Sequence, residues 1–216
     1  MIKKINLGVL ISGGGNTLQN FIDQIETGKL SATIQVVISS KPGVVGLERA
    51  KNHNLRTSVV PYSSFHNVET FSSAITAELE KYPIDLITLA GFVHFYKIPE
   101  KYLGKVMNIH PGLIPAFCGH TYYGNKVHEA VINYGAKVSG CTVHFADNIY
   151  DNGPIIIQRA VPVLDEDTPK TLAARVFEEE CEAYPEAVRL FAAGRLKVEG
   201  RKVRIIKSNQ VCGFNQ

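Results

Sequence analysis

Cysteine is sparse in this chain and never paired: Cys118, Cys141, Cys181 and Cys212 are the four among 216 residues, with no CxxC spacing between them. That pattern argues against a zinc ribbon and against a disulfide framework, so reduced thiols are expected. No HExxH or comparable short spacing joins His110, His120, His128 and His144, which counts against a metal-dependent hydrolase, and no metal is expected. Long apolar runs are also missing. Residues 5 to 11 are apolar, but a membrane span needs roughly 20 residues, and this run leads into glycines rather than a cleavage pattern. A cytoplasmic protein without a membrane partner is expected. Charge of one sign is lacking too: 23 Lys plus Arg against 20 Asp plus Glu leave +3, too little and too dispersed for a nucleic-acid footprint. A small anionic substrate fits better.

What is present suits an ordinary globular enzyme. Apolar residues make up 45% of the chain and charged residues 20%, enough to build a sizeable core. No repeat, low-complexity tract or linker divides it, so one domain over residues 1–207 is expected, with a loose tail over 208–216, as a monomer or homodimer.

Local patterns alternate between strand and helix. Ile5 to Ile11 is a β-rich run that stops at Ser12-Gly13-Gly14-Gly15, after which Leu18, Phe21, Ile22 and Ile25 recur at helical spacing. Strands over 33–39, 57–60 and 85–90 alternate with helices over 45–53 and 68–81. This alternation predicts a Rossmann-like α/β fold: an open, mostly parallel sheet with helices on both faces. The second half extends that sheet with antiparallel strands, through strands over 106–109, 141–146 and 155–161, helices over 126–133 and 171–191, and a hairpin turning at Glu199-Gly200.

Two places stand out chemically. In an open parallel sheet the loop after the first strand faces the ligand crevice, and the next helix offers free N–H groups and a positive dipole end. Gly15, Asn16 and Thr17 occupy that place, as a phosphate cradle or as a tight turn capped by Thr17. A dinucleotide fingerprint is not met, because position 18 is Leu and Ser39-Ser40-Lys41 follows the second strand. The second place is Asn108-Ile109-His110, where i and i+2 side chains project from one face at a strand end. An amide and an imidazolium are both donors suited to a tetrahedral oxyanion, and Asp151, in the turn after Tyr150, is the candidate that would keep His110 charged. A structural histidine and a turn-stabilising aspartate remain the plainer alternatives.

Four blocks carry a resemblance: Leu89-Ala90-Gly91-Phe92, Asn108 to Pro115, Ser139 to Phe145, and Asp151-Asn152-Gly153-Pro154-Ile155-Ile156. Together they closely resemble the formyltransferases that use 10-formyltetrahydrofolate, with a match extending over about residues 5 to 207. The resemblance implies direct attack by the amine of N1-(5-phosphoribosyl)glycinamide on the formyl carbon, a step of de novo purine synthesis. It implies that Asn108 holds the formyl oxygen, that His110 is the general acid, and that Asp151 keeps His110 charged and orients a water or proton relay. It implies further that Gly15, Asn16 and Thr17 take the ribose phosphate, that Glu180 contacts the glycinamide, and that Val93, His94, Phe95 and Tyr96 line the folate pocket with backbone groups.

Val93-His94 stands where the family often has Met-Arg, Val68 falls where a basic folate contact is expected, and Phe117 to Gly124 is richer in aromatics than the family pattern. A formyltetrahydrofolate hydrolase and an inactive folate- or nucleotide-binding module are the alternatives. Chain length, filled by the catalytic domain, favours the small phosphorylated amine as acceptor.

Overall fold

The computed structural model describes residues 4–207, and the tail expected over 208–216 lies outside them. Strand β1 (Ile5–Ile11) alternates its faces: Leu7, Val9 and Ile11 join one hydrophobic core, while Leu10 joins the core on the other side of the sheet. Gly15, in the left-handed conformation at φ 72°, ends the turn after β1 and starts α1 (Asn16–Glu26), which buries Leu18, Phe21 and Ile22. Alternation continues through β2 (Ala32–Ser39), α2 (Val45–Asn52), β3 (Thr57–Val59), α3 (Val68–Leu79) and β4 (Leu86–Leu89) to β5 (Val106–His110). The second half holds α4 (Asn125–Tyr134), β6 (Val138–Phe145), β7 (Ile155–Pro162), α5 (Pro169–Ala192), β8 (Leu196–Glu199) and β9 (Lys202–Ile205).

The nine strands of the described residues form one sheet in the order β3-β2-β1-β4-β5-β6-β7-β9-β8. The strands β1 to β5 pair in parallel, whereas β6 pairs antiparallel with both β5 and β7. The hairpin β8–β9 then attaches to β7 through β9. The fold is thus the Rossmann-like sheet with antiparallel extension that the sequence predicts. Strand order reverses at β1 and β4, and the crevice outside their carboxyl ends is the place where such sheets bind ligands.

Helices α1, α2, α4 and α5 pack on one face and α3 on the other. The longest helix, α5, starts two residues before the expected 171, because Thr168 accepts a hydrogen bond from the Thr171 N–H and Pro169 supplies a preset first turn. It is held on the sheet by Tyr184, fully buried, whose hydroxyl donates to the Met107 carbonyl at 2.7 Å and whose ring meets Phe21 at 4.9 Å. Full burial of a large apolar side chain contributes roughly 1.5–3 kcal/mol. Tyr184 therefore fixes the face of α5 that also carries Glu180, one turn earlier.

Candidate active site

The glycine loop is shaped by its contact with α2. A Cβ on Gly15 would lie 2.7 Å from the Cα of Gly46, so the loop and the start of α2 touch through backbone alone. Gly15 caps α1 without any side-chain hydrogen bond, so Thr17 is not the cap; it is buried at the base of the loop. Arg49 clamps the loop from α2, donating from Nε to the Gly14 carbonyl at 2.9 Å and from Nη2 to Asn16 Oδ1 at 3.2 Å. The first-turn N–H groups of α1 have no acceptor within the helix, and Gly13 to Thr17 line a cavity.

That cavity, about 440 Å³, is walled by Gly13 to Thr17 on one side and by Ala173, Phe177 and Glu180 of α5 on another. Glu180 is half-buried and has no hydrogen-bond partner among the described residues. Burial pushes its carboxyl up to about 7. A carboxylate so placed gains from any N–H brought against it.

Asn108 and His110 line a second cavity, of about 310 Å³, together with His144 and Asp151. The two cavities share Gly91, Ile109, Pro111 and Gly124 as common wall. Asn108 and His110 therefore stand next to the cavity of the glycine loop, across the end of β5, rather than inside the same pocket. Asp151 reaches them from the β6–β7 connection, at φ 50°, a left-handed conformation that aspartate tolerates better than most residues.

Four contacts hold the Asp151 carboxylate: the Gly119 N–H donates to Oδ2 at 2.8 Å, Asn108 Nδ2 donates to Oδ1 at 3.3 Å, His110 Nδ1 lies 3.5 Å from Oδ2 and His144 Nε2 lies 3.8 Å from Oδ1. Burial pushes its pKa up, but His144, His110 and the Gly119 N–H together hold it below the ordinary carboxylate value. Asp151 is ionised at neutral pH. His110 differs from the sequence expectation of an imidazolium at pH 7. Burial pushes its pKa down, and this outweighs the opposing pull of Asp151 and of the Phe117 carbonyl. Its Nε2 donates to that carbonyl at 2.9 Å, so a further proton would enter at Nδ1, facing Asp151. Gly112 makes room for this ring, since a Cβ there would meet Nε2 at 3.0 Å.

Two neighbours of the pair escaped sequence reasoning as site residues. Antiparallel pairing of β5 with β6 sets His144 opposite Asn108, and the ring nitrogen Nε2 lies 3.2 Å from Asn108 Nδ2. The segment 117–124, unexplained from sequence, supplies the Phe117 carbonyl for His110 and the Gly119 N–H for Asp151. Its His120, Tyr122 and Tyr123 also line the second cavity.

Val93, His94, Phe95 and Tyr96 line the same cavity from the loop after β4. The Val93 N–H donates to Ser12 Oγ at 3.0 Å, which ties this loop to the one after β1. His94 stacks on Tyr62 at 4.2 Å, and Phe95 meets Tyr150 at 4.7 Å. Tyr96 is buried, its hydroxyl 2.9 Å from Thr76 Oγ1. Val68 lines an outer extension with Tyr62, His94 and Tyr150. Among the described residues no group of three His, Cys, Asp or Glu is arranged to hold a metal ion, and no helix is long and apolar enough to cross a membrane.

An open α/β sheet whose strand ends bring an Asn–His–Asp cluster beside a glycine loop at a helix start has the architecture of an enzyme of small-molecule group transfer. The chain belongs to the formyl transferase family, whose model matches residues 5–188. It is 36% identical over 196 residues to the phosphoribosylglycinamide formyltransferase of Escherichia coli, covering 90% of each chain. It is 40% identical over 208 residues to the human trifunctional purine biosynthetic protein adenosine-3, and spans about a fifth of that protein's length (20%). Among solved structures, glycinamide ribonucleotide transformylase 1 from Symbiobacterium toebii superposes with a TM-score of 0.88 at 40% identity, over 94% of both chains.

Proposed function

We propose that the protein transfers the formyl group of 10-formyltetrahydrofolate to the amine of N1-(5-phosphoribosyl)glycinamide. What supports this reading is the wall that the two cavities share beside Asn108 and His110, with the glycine loop and Glu180 in one and an aromatic lining in the other. The phosphate takes the first-turn N–H groups of α1 at Gly15, Asn16 and Thr17. Arg49 holds Asn16 by Oδ1, which leaves its Nδ2 hydrogens for a phosphate oxygen. Glu180 faces the glycinamide end.

The folate lies along Val93, His94, Phe95 and Tyr96 and reaches Asn108, where flat rings fit beside the stacked pair His94–Tyr62 and the tilted pair Phe95–Tyr150. The amine nitrogen attacks the formyl carbon and the carbonyl electron pair moves onto oxygen. Collapse of this intermediate breaks the bond to folate N10, which takes the electron pair and a proton while the former amine gives one up. Asn108, His110 and Asp151 stabilise the intermediate, and the facing Nδ1 and carboxylate of the His110–Asp151 pair carry the proton. No metal enters this scheme. We place the reaction in the cytoplasm, where the free Cys118, Cys141 and Cys181 stay reduced.

Purified protein mixed with 10-formyltetrahydrofolate, with and without the acceptor, tests the proposal by following loss of the formyl group. Rapid transfer with the amine alone is expected. Equal rates with and without it would replace the transferase by a hydrolase, and no formyl loss in either case would leave a binding module.

A further inference from the structure

Buried polar side chains in folded proteins nearly always find a partner, and among the described residues His128 Nδ1 and Ser139 Oγ do not: both are sealed from solvent without a hydrogen bond. Ser139 lines neither of the two cavities nor the outer extension. His128 lines the cavity walled by the glycine loop and Glu180. It belongs to the buried face of α4, with Val127 and Val131, and is only 4% exposed. An apolar side chain would fill that place without leaving a nitrogen unsatisfied, so packing alone does not account for an imidazole there. With Nδ1 sealed, the ring meets the cavity by its other edge, which carries Nε2.

Burial and a positive charge on His110 both push the pKa of this ring down, and no hydrogen bond acts on it. The ring is therefore neutral at pH 7, with one N–H and one lone pair. In His110 the Phe117 carbonyl decides which nitrogen carries the hydrogen. Nothing decides it in His128, so Nε2 is free to donate or to accept. A phosphate only accepts and an ammonium only donates, whereas a hydroxyl does both and suits either form of the ring. The glycine loop and Glu180 suit the two charged ends of the acceptor, which leaves the polar group between those ends, the sugar, for His128.

We propose that His128 is a further acceptor-binding residue, whose Nε2 shares a hydrogen bond with a ribose hydroxyl of N1-(5-phosphoribosyl)glycinamide. The contact rests on the function proposed above and adds a group that reads the sugar to those that take the phosphate and the amine. An analogue without that hydroxyl leaves the buried ring unpaired, which is how a polar site rejects a ligand that merely lacks one group.

Equilibrium binding to the full-length protein tests this, with four probes: the acceptor, its 2-deoxyribosyl and 3-deoxyribosyl analogues, and inorganic phosphate. Wild type should bind the acceptor at least about fivefold more tightly than one of the two analogues, the scale of one neutral hydrogen bond. His128→Phe keeps a ring and removes both nitrogens; its preference should fall below about twofold, with the folate dissociation constant unchanged. His128→Gln, whose amide can reach the position of Nε2, should regain part of the preference. A His128→Phe protein that discriminates as wild type does, or a wild type that binds the acceptor and both analogues equally, overturns the contact.

Nuclear magnetic resonance gives a second readout that does not depend on His128→Phe folding. With histidines labelled with 15N and the His128 signals assigned by their loss in His128→Gln, saturating acceptor should shift the Nε2 resonance of the wild type. Inorganic phosphate and the disfavoured deoxy analogue should leave it in place. Acceptor binding without that shift overturns the contact alone, whereas a wild type that binds neither the acceptor nor inorganic phosphate overturns the proposed function and the contact together.

Discussion

Replacing Glu180 by glutamine removes a carboxyl whose charge partial burial disfavours. The carboxyl has an ordinary value of 4.5 and is pushed up to about 7 by burial alone, with no basic partner to offset it. Between these values the native state binds a proton that the unfolded chain has released, so stability falls as pH rises, and the loss is complete above pH 7. At about 1.36 kcal/mol per unit, the gap amounts to about 3 kcal/mol, and water reaching the half-buried residue trims the measurable part to about 1–3 kcal/mol. Urea unfolding of wild type and Glu180→Gln at pH 4.5 and pH 8.5 should thus give equal stabilities at the lower pH. At the higher pH the variant should be the more stable by that amount. The same substitution should weaken acceptor binding, because an amide cannot replace a carboxylate facing an amine. A stability difference between the two proteins that does not change with pH would refute the argument that burial governs this carboxyl.

Other expectations follow from the same geometry. His110→Ala should lower the transfer rate at least roughly 100-fold, the scale for losing an acid catalyst, and a near-normal rate in a stopped assay would remove His110 from the mechanism. Gly15→Ala must place a Cβ 2.7 Å from Gly46 Cα at a residue with φ 72°, so the loop has to open. Its KM for the acceptor should rise by about tenfold or more with the KM for folate little changed, as expected when a phosphate contact worth about 1.4 kcal/mol is lost; a selective rise in the folate KM would contradict the assigned cradle. Tyr184→Phe leaves the Met107 carbonyl buried without its donor and should cost about 1–3 kcal/mol in urea unfolding, with a smaller loss arguing that α5 is held mainly by packing.

The fold was largely legible because its signals are local. Apolar runs closing on turn residues marked β1, β2 and β4, and helical spacing of Leu18, Phe21 and Ile22 marked α1. Boundaries moved where capping decides them, as at Thr168 and Pro169. In the site, Asn108 and His110 were readable from i, i+2 spacing at a strand end, the glycine loop from its place after the first strand, Asp151 from its turn and matched block, and Glu180 from the family resemblance alone. His144 was not, since its neighbour Asn108 lies 36 residues away across an antiparallel pairing that no local pattern specifies. The charge state of His110 also lay out of reach. The sequence names its carboxylate neighbour but not the depth of burial, which here is the larger effect. The contacts of Phe117 and Gly119 run through backbone atoms, which residue identity does not reveal.

The wall that the two cavities share at Gly91, Ile109, Pro111 and Gly124 has a kinetic consequence. With the reactants placed as proposed, each occupies its own cavity and they meet at the end of β5, so neither has to depart before the other can arrive. The cycle then runs through a ternary complex without a formylated protein intermediate, and initial-velocity lines at varied co-substrate should intersect rather than run parallel.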